Sequence, residues 1–142
     1  MGAGRRAASG RSVQVARLAP DATPDRLDLL TRSAESAKVV VVAAYVRRVE
    51  GEGRFAMPEA IAAWIDKLAQ GRRVIVVSFG NPYLLRQFPS VGSYMVTYGV
   101  SDDLERAAAR GLLGQGAITG RAPVSLPGFF SAGDGIQRLV KK

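Results

Sequence analysis

The stretch VIVVSFGNPYLLRQFP, residues 74–89, decides how this chain is read. Its first four residues are apolar and mostly β-branched, with no polar alternation, as in a strand covered on both faces. The run then breaks into Ser78, Phe79, Gly80, Asn81 and Pro82, residues with special backbone preferences. Gly80 suits a sharp turn, Asn81 can bond its own backbone, and Pro82 presets the turn after it. Pro82 can open a short helical turn and Pro89 must close it. Open α/β sheets keep their ligands at the carboxyl ends of strands, so this turn is a catalytic loop, a ligand loop or a structural corner.

Elements of the same kind lie on either side. KVVVVAAY, residues 38–45, is a second strand without alternation, expected to be covered on both faces. Between the two, Ile61, Trp64, Ile65 and Leu68 recur at helical spacing. They predict a helix from Met57 or Pro58, with Gly71 as a left-handed C-terminal residue. Upstream, SVQVARL predicts a short first strand. Thr23 and Pro24 then open a helix whose buried stripe is Leu27, Leu30, Ala34 and Ala37. Downstream, SYMVTYG predicts a fourth strand. Ser101 caps a last helix with Asp102 and Asp103 at its positive end and Leu104, Ala107, Ala108 and Leu112 inward. The order β-α-β-α-β-(short helix)-β-α implies a mostly parallel sheet of about four to six strands with helices on both faces. The two prolines of APVSLPGFF allow an extended edge segment but not a central strand.

Composition narrows the chemistry. The chain has 142 residues, enough for one domain with a real core. It holds no cysteine and no histidine, which leaves carboxylates as the side chains for general-base or metal-binding work. The acids are scattered, so no metal site and no cofactor is expected. The formal charge of +8 sits in the tails: without Arg5, Arg6, Arg11, Arg17, Arg138, Lys141 and Lys142, 13 of the 20 basic residues remain against 12 acids. A nucleic-acid-binding face is therefore not expected. The longest apolar run, residues 39–46, is strand-sized, and no membrane span is expected. The opening MGAGRRAASGRS has no apolar stretch of the signal-peptide kind and reads as a disordered or truncation-edge segment over residues 1–12. The sequence names no compartment.

Three strings in this order, VVVVAAYVR, VVSFGNPYLLRQFPSV and YMVTYGVSDDLERAAARGLLGQGAITGRAPVSLPG, resemble the C-terminal α/β domain of family 3 glycoside hydrolases. The nearest branch is the two-domain β-N-acetylhexosaminidases. The resemblance spans residues 13–128, with a tail at 129–142, and implies a flavodoxin-like three-layer sandwich. It also implies a partner, the (β/α)8 barrel that carries the family's catalytic aspartate, and a carbohydrate substrate met through the complete enzyme. The family's domain begins with a further strand and helix before the one matching VQVARL, so the resemblance implies truncation at the N-terminus.

Retaining glycosidases use two carboxyl groups about 5–5.5 Å apart. In the β-glucosidase branch the acid/base is a glutamate lent by the C-terminal domain, often within Gly-Glu-Gly. Gly51-Glu52-Gly53 stands in the corresponding place, which makes Glu52 the catalytic candidate; the other reading is a solvated glutamate between flexible glycines. In the hexosaminidase branch the acid is a histidine of the barrel. The resemblance further implies that Gly80, Asn81 and Pro82, with Arg47 and Arg48, face the barrel or the sugar. Ser78 lacks the Gly-x-Ser-x-Gly setting of a nucleophile. Tyr45, Tyr83, Tyr94 and Tyr98 are expected to be packing residues. The alternative to an accessory domain is a free-standing, flavodoxin-like interaction module without catalysis that forms a homodimer through its unpaired edge and uncovered helical faces.

Overall fold

The computed structural model describes residues 5–6, 12–46 and 56–140. The chain divides into two compact units, Met1–Lys38 and Val39–Lys142.

In the first unit, Arg5–Arg6 (β1) and Ser12–Val13 (β2) form a small antiparallel ribbon. Helix α1, Pro24–Ala34, begins as its sequence predicts, with Pro24 in its first turn and Thr23 as N-cap. The Thr23 hydroxyl oxygen accepts the Arg26 amide at 3.4 Å. Leu27 is buried and Leu30 and Ala34 are half-buried, whereas Ala37 lies beyond the helix and is exposed. The strand expected over SVQVARL is not formed beyond Val13, and Val15 is exposed. Partial alternation in so short a segment favours extended backbone but names no neighbouring edge, and a strand exists only where one pairs with it.

The second unit holds a three-stranded parallel sheet in the order β3-β4-β5, with β3 at Val40–Ala44, β4 at Val74–Ser78 and β5 at Ser93–Val96. It is α/β as expected, with fewer strands than the four to six predicted. Helix α2, Glu59–Gly71, carries the chain from β3 to β4, and a 3-10 helix, Pro82–Gln87, from β4 towards β5. Helix α3, Asp102–Leu112, follows with Ser101 as its cap.

Register assigns the faces. In a parallel pair, partnered residues point to the same side. Val77 partners Met95, and both pack with Phe79, Ala108 and Leu112, so α3 covers this face. Val76 partners Tyr94 on the opposite face, where the Tyr94 ring meets Phe88 with centroids 6.4 Å apart. The 3-10 helix in turn packs against α2, whose Ile61, Ala62, Ile65 and Leu68 are buried. Two details depart from expectation. Gly71 is the last residue of α2 and Arg72 leaves it extended, so Gly71 is no left-handed cap. Ala107 is exposed because the face of α3 turned to the core is narrower than the apolar stripe.

The largest correction concerns β3. Among the described residues it has a single neighbour, β4, and its burial alternates: Val40 and Val42 are half-buried and Ala44 is buried, while Val41 and Ala43 are exposed. Val41 partners Ile75 and Ala43 partners Val77, so the bare residues lie on the α3 face, over a part that α3 does not reach. Val41 keeps 50% of its surface in solvent. A continuous apolar run shows that both faces can be covered, not that both are.

Past α3, residues 118–138 close as an irregular antiparallel arm. Ile118 and Arg138 exchange both backbone hydrogen bonds at 2.8 Å, and Leu126 is fully buried.

Two measurements follow from this packing. Ile65 is fully buried, so Ile65→Ala should lower unfolding free energy by about 3 kcal/mol in urea melts. Asp66, also on α2, accepts the Ser90 amide at 2.7 Å and the Gln70 side chain at 3.2 Å. The Ser90 amide holds its carboxyl below the usual aspartate value, against an opposing effect of burial. A lowered folded value adds stability above the unfolded value, near ~3.9, and loses it as pH falls through the folded one. Asp66→Asn should therefore flatten the acid limb of the stability–pH curve without changing its shape above about pH 6.

Candidate functional site

The carboxyl ends of the three strands stand level. Ala44, Ser78 and Val96 are register partners, and the ladder runs one step further, from the Phe79 amide to the Ala44 carbonyl at 2.9 Å and from the Thr97 amide to the Ser78 carbonyl at 3.1 Å. Beyond this line lie Tyr45, the turn from Gly80 to Tyr83, and the loop from Tyr98 to Ser101.

The turn is organised around one carbonyl. The Ser78 hydroxyl, fully buried, donates to the Asn81 carbonyl at 2.6 Å, and the Tyr94 hydroxyl donates to the same oxygen at 3.0 Å. Tyr94 also reaches the Pro82 carbonyl at 3.3 Å. The Asn81 side-chain oxygen caps the 3-10 helix by accepting the Tyr83 amide at 2.9 Å. At the far end of that helix, Gln87 donates to the Met57 carbonyl at 2.9 Å and accepts the Met57 amide at 2.8 Å. Gly80 makes the reversal at φ +112°, a conformation that side chains rarely adopt. Gly80, Asn81 and Pro82 are thus brought together as a rigid corner, half-buried, at the strand end. Ser78 spends its proton on the corner. Arg47, Arg48 and Glu52 lie outside the described residues.

The tyrosines divide differently from the sequence expectation. Tyr94 is a packing residue with a satisfied hydroxyl, and burial raises its pKa. Tyr45, Tyr83 and Tyr98 are exposed. Tyr45 stacks on Phe79 at 4.6 Å between centroids. Its pKa is raised by partial burial and then by the Glu105 carboxylate. Tyr98 has φ +57°, the one non-glycine residue with positive φ among the described residues. Burial raises its pKa, and the Tyr83 phenol raises it further by charge repulsion. Hydropathy marks such residues as core because a tyrosine has an apolar body; the Tyr-Gly pair after a strand was the signal of a special backbone position.

Among the described residues, no group of three or more acids could hold a metal ion, and no buried side-chain nitrogen or oxygen lacks a partner. At the opposite, amino end of the sheet lies an open depression of about 450 Å³, lined by Arg72, Arg73, Ser90 and Ser93 among others. Compared with protein-family models, with curated proteins and with solved structures, the chain finds no match in any of the three.

The corner carries a direct test. A β-carbon at Gly80 would meet no atom within 4 Å, so Gly80→Ala strains the backbone alone. It should cost about 1–3 kcal/mol in urea melts, although space is available for the methyl group.

Proposed function

We propose that this chain is a non-catalytic, accessory domain of a family 3 glycoside hydrolase of the β-N-acetylhexosaminidase kind. In this reading the domain is a flavodoxin-like sandwich that packs its strand-end corner on a catalytic (β/α)8 barrel outside these 142 residues. The barrel supplies the reactive carboxylate and the proton donor for hydrolysis of a terminal β-linked N-acetylhexosamine. The domain buttresses it and closes one side of the sugar site.

The observation that carries the reading is the commitment of the corner to itself. The Asn81 carbonyl takes two hydroxyl donors and the Asn81 side chain caps the next helix, so the corner spends its own polar groups on holding its shape. That is the chemistry of an interface. The order of the three sequence strings supports the same view, while likeness of fold alone licenses no activity. The purified chain should release no phenol from an aryl N-acetylglucosaminide, and a co-expressed family 3 barrel should co-purify with it. Turnover by the chain alone overturns the proposal. Glu52→Gln in the complete enzyme should reduce kcat only a few-fold; a loss of the order of 10³ would assign Glu52 the acid/base role.

The bare face and outer edge of β3 favour a second reading, a homodimerisation module. An apolar edge without Pro or charge invites pairing. Light scattering separates the two: the accessory domain is a monomer, whereas a tight dimer that Val41→Lys dissolves supports the module.

A further inference from the structure

Two arginines follow one another where α2 hands the chain to β4. Arg72 leaves the helix in extended conformation, and Arg73 precedes Val74, the first residue of the strand. Successive residues of extended backbone project to opposite sides, so the pair borders the amino end of β4 from both. Both line the open depression of about 450 Å³, and the other polar side chains in its lining are Ser90 and Ser93, where the chain enters β5. Arg73 and Ser93 are exposed. The acids of the second unit lie almost wholly elsewhere. Glu59 is in the first turn of α2, and Asp102, Asp103 and Glu105 are in the first turn of α3, all at the carboxyl end of the sheet. Residues 47–55, with Glu50 and Glu52, join the described chain at that same end, after β3 and before α2. Asp134 belongs to the arm and accepts the Ser131 amide. The other residues outside the described set, 1–4, 7–11 and 141–142, contain no acid. Asp66 alone is near, and its carboxylate already accepts the Ser90 amide at 2.7 Å and the Gln70 side chain at 3.2 Å. One engaged carboxylate against two guanidiniums leaves the depression positive.

We propose that this depression binds a small phosphate-bearing anion, with Arg73 as its main contact and Arg72 and the Ser93 hydroxyl beside it. A guanidinium presents parallel N–H donors that match two phosphate oxygens, and a serine hydroxyl donates one bond more. The depression is open, so it takes a terminal phosphate and leaves the rest of the molecule in solvent. Its lining holds no aromatic side chain, which gives the bases of a nucleic-acid strand nothing to stack on. The site lies at the other end of the sheet from the Gly80 corner, and it stands whether or not the chain accompanies a barrel.

The test is titration of the whole chain with inorganic phosphate, phenyl phosphate, pyrophosphate and a single-stranded oligonucleotide, followed by amide chemical shifts. Ionic strength is held constant with sodium chloride. Saturable shifts centred on residues 70–75 and 90–93 are expected with the phosphates. Tighter binding of phenyl phosphate than of inorganic phosphate supports an ester as the ligand; the reverse supports the free ion. Arg73→Ala should weaken binding by about tenfold or more, and Ser93→Ala by about threefold. Lys67→Ala, which removes an exposed cation of α2 outside the lining, should leave it within about twofold. Arg73 and Lys67 are both exposed, so neither variant should lower the melting temperature, which separates lost binding from lost folding. The site is overturned by shifts that never saturate or by equal losses in Arg73→Ala and Lys67→Ala. It is overturned as well by an oligonucleotide that binds more tightly than phenyl phosphate and spreads its shifts beyond the depression.

Discussion

Strand β4 has a partner on each edge, and four of its five residues are buried, so every polar group at its end must find a protein partner. Ser78 shows the consequence. Its hydroxyl has no water to bond, and it turns to the carbonyl of Asn81 three residues on. That bond draws the chain back over the strand end, requires the reversal at Gly80, and starts the 3-10 helix at Pro82. Tyr94 on β5 closes on the same carbonyl, which ties the turn to the neighbouring strand. The corner is therefore a product of burial at the sheet centre.

The same sheet is unequally covered. On one side the Val76–Tyr94 row meets Phe88 beyond the 3-10 helix; on the other α3 reaches Val77 and Met95 but leaves Val41 and Ala43 in water. The apolar surface at β3 and the tyrosines at the strand ends are different in kind. The first is unpolarised and flat and suits protein packing. The second carries hydroxyl tips and is amphipathic.

How much was legible follows from the range of each interaction. Thr23, Pro24 and Ser101 marked helix starts because capping is settled within three residues. Gly80, Asn81 and Pro82 marked the corner for the same reason, and the 3.6-residue period of Ile61, Ile65 and Leu68 reported a face that α2 does bury. The exposure of Val41, Tyr83 and Tyr98 was not legible, because it depends on where α3 stops and on how three strand ends line up. The missing pairing of residues 14–18 belongs here as well, since an extended segment carries no address for its neighbour.

Order and type of the elements in the second unit, the parallel sense of its sheet and the closure of its central turn were written in local residue preferences and apolar periodicity. The number of strands, the half-bare face of β3 and the exposure of Tyr83 and Tyr98 arose only on assembly. Those features are set by contacts between residues far apart in the chain, and a linear pattern records the capacity for burial without recording what arrives to provide it.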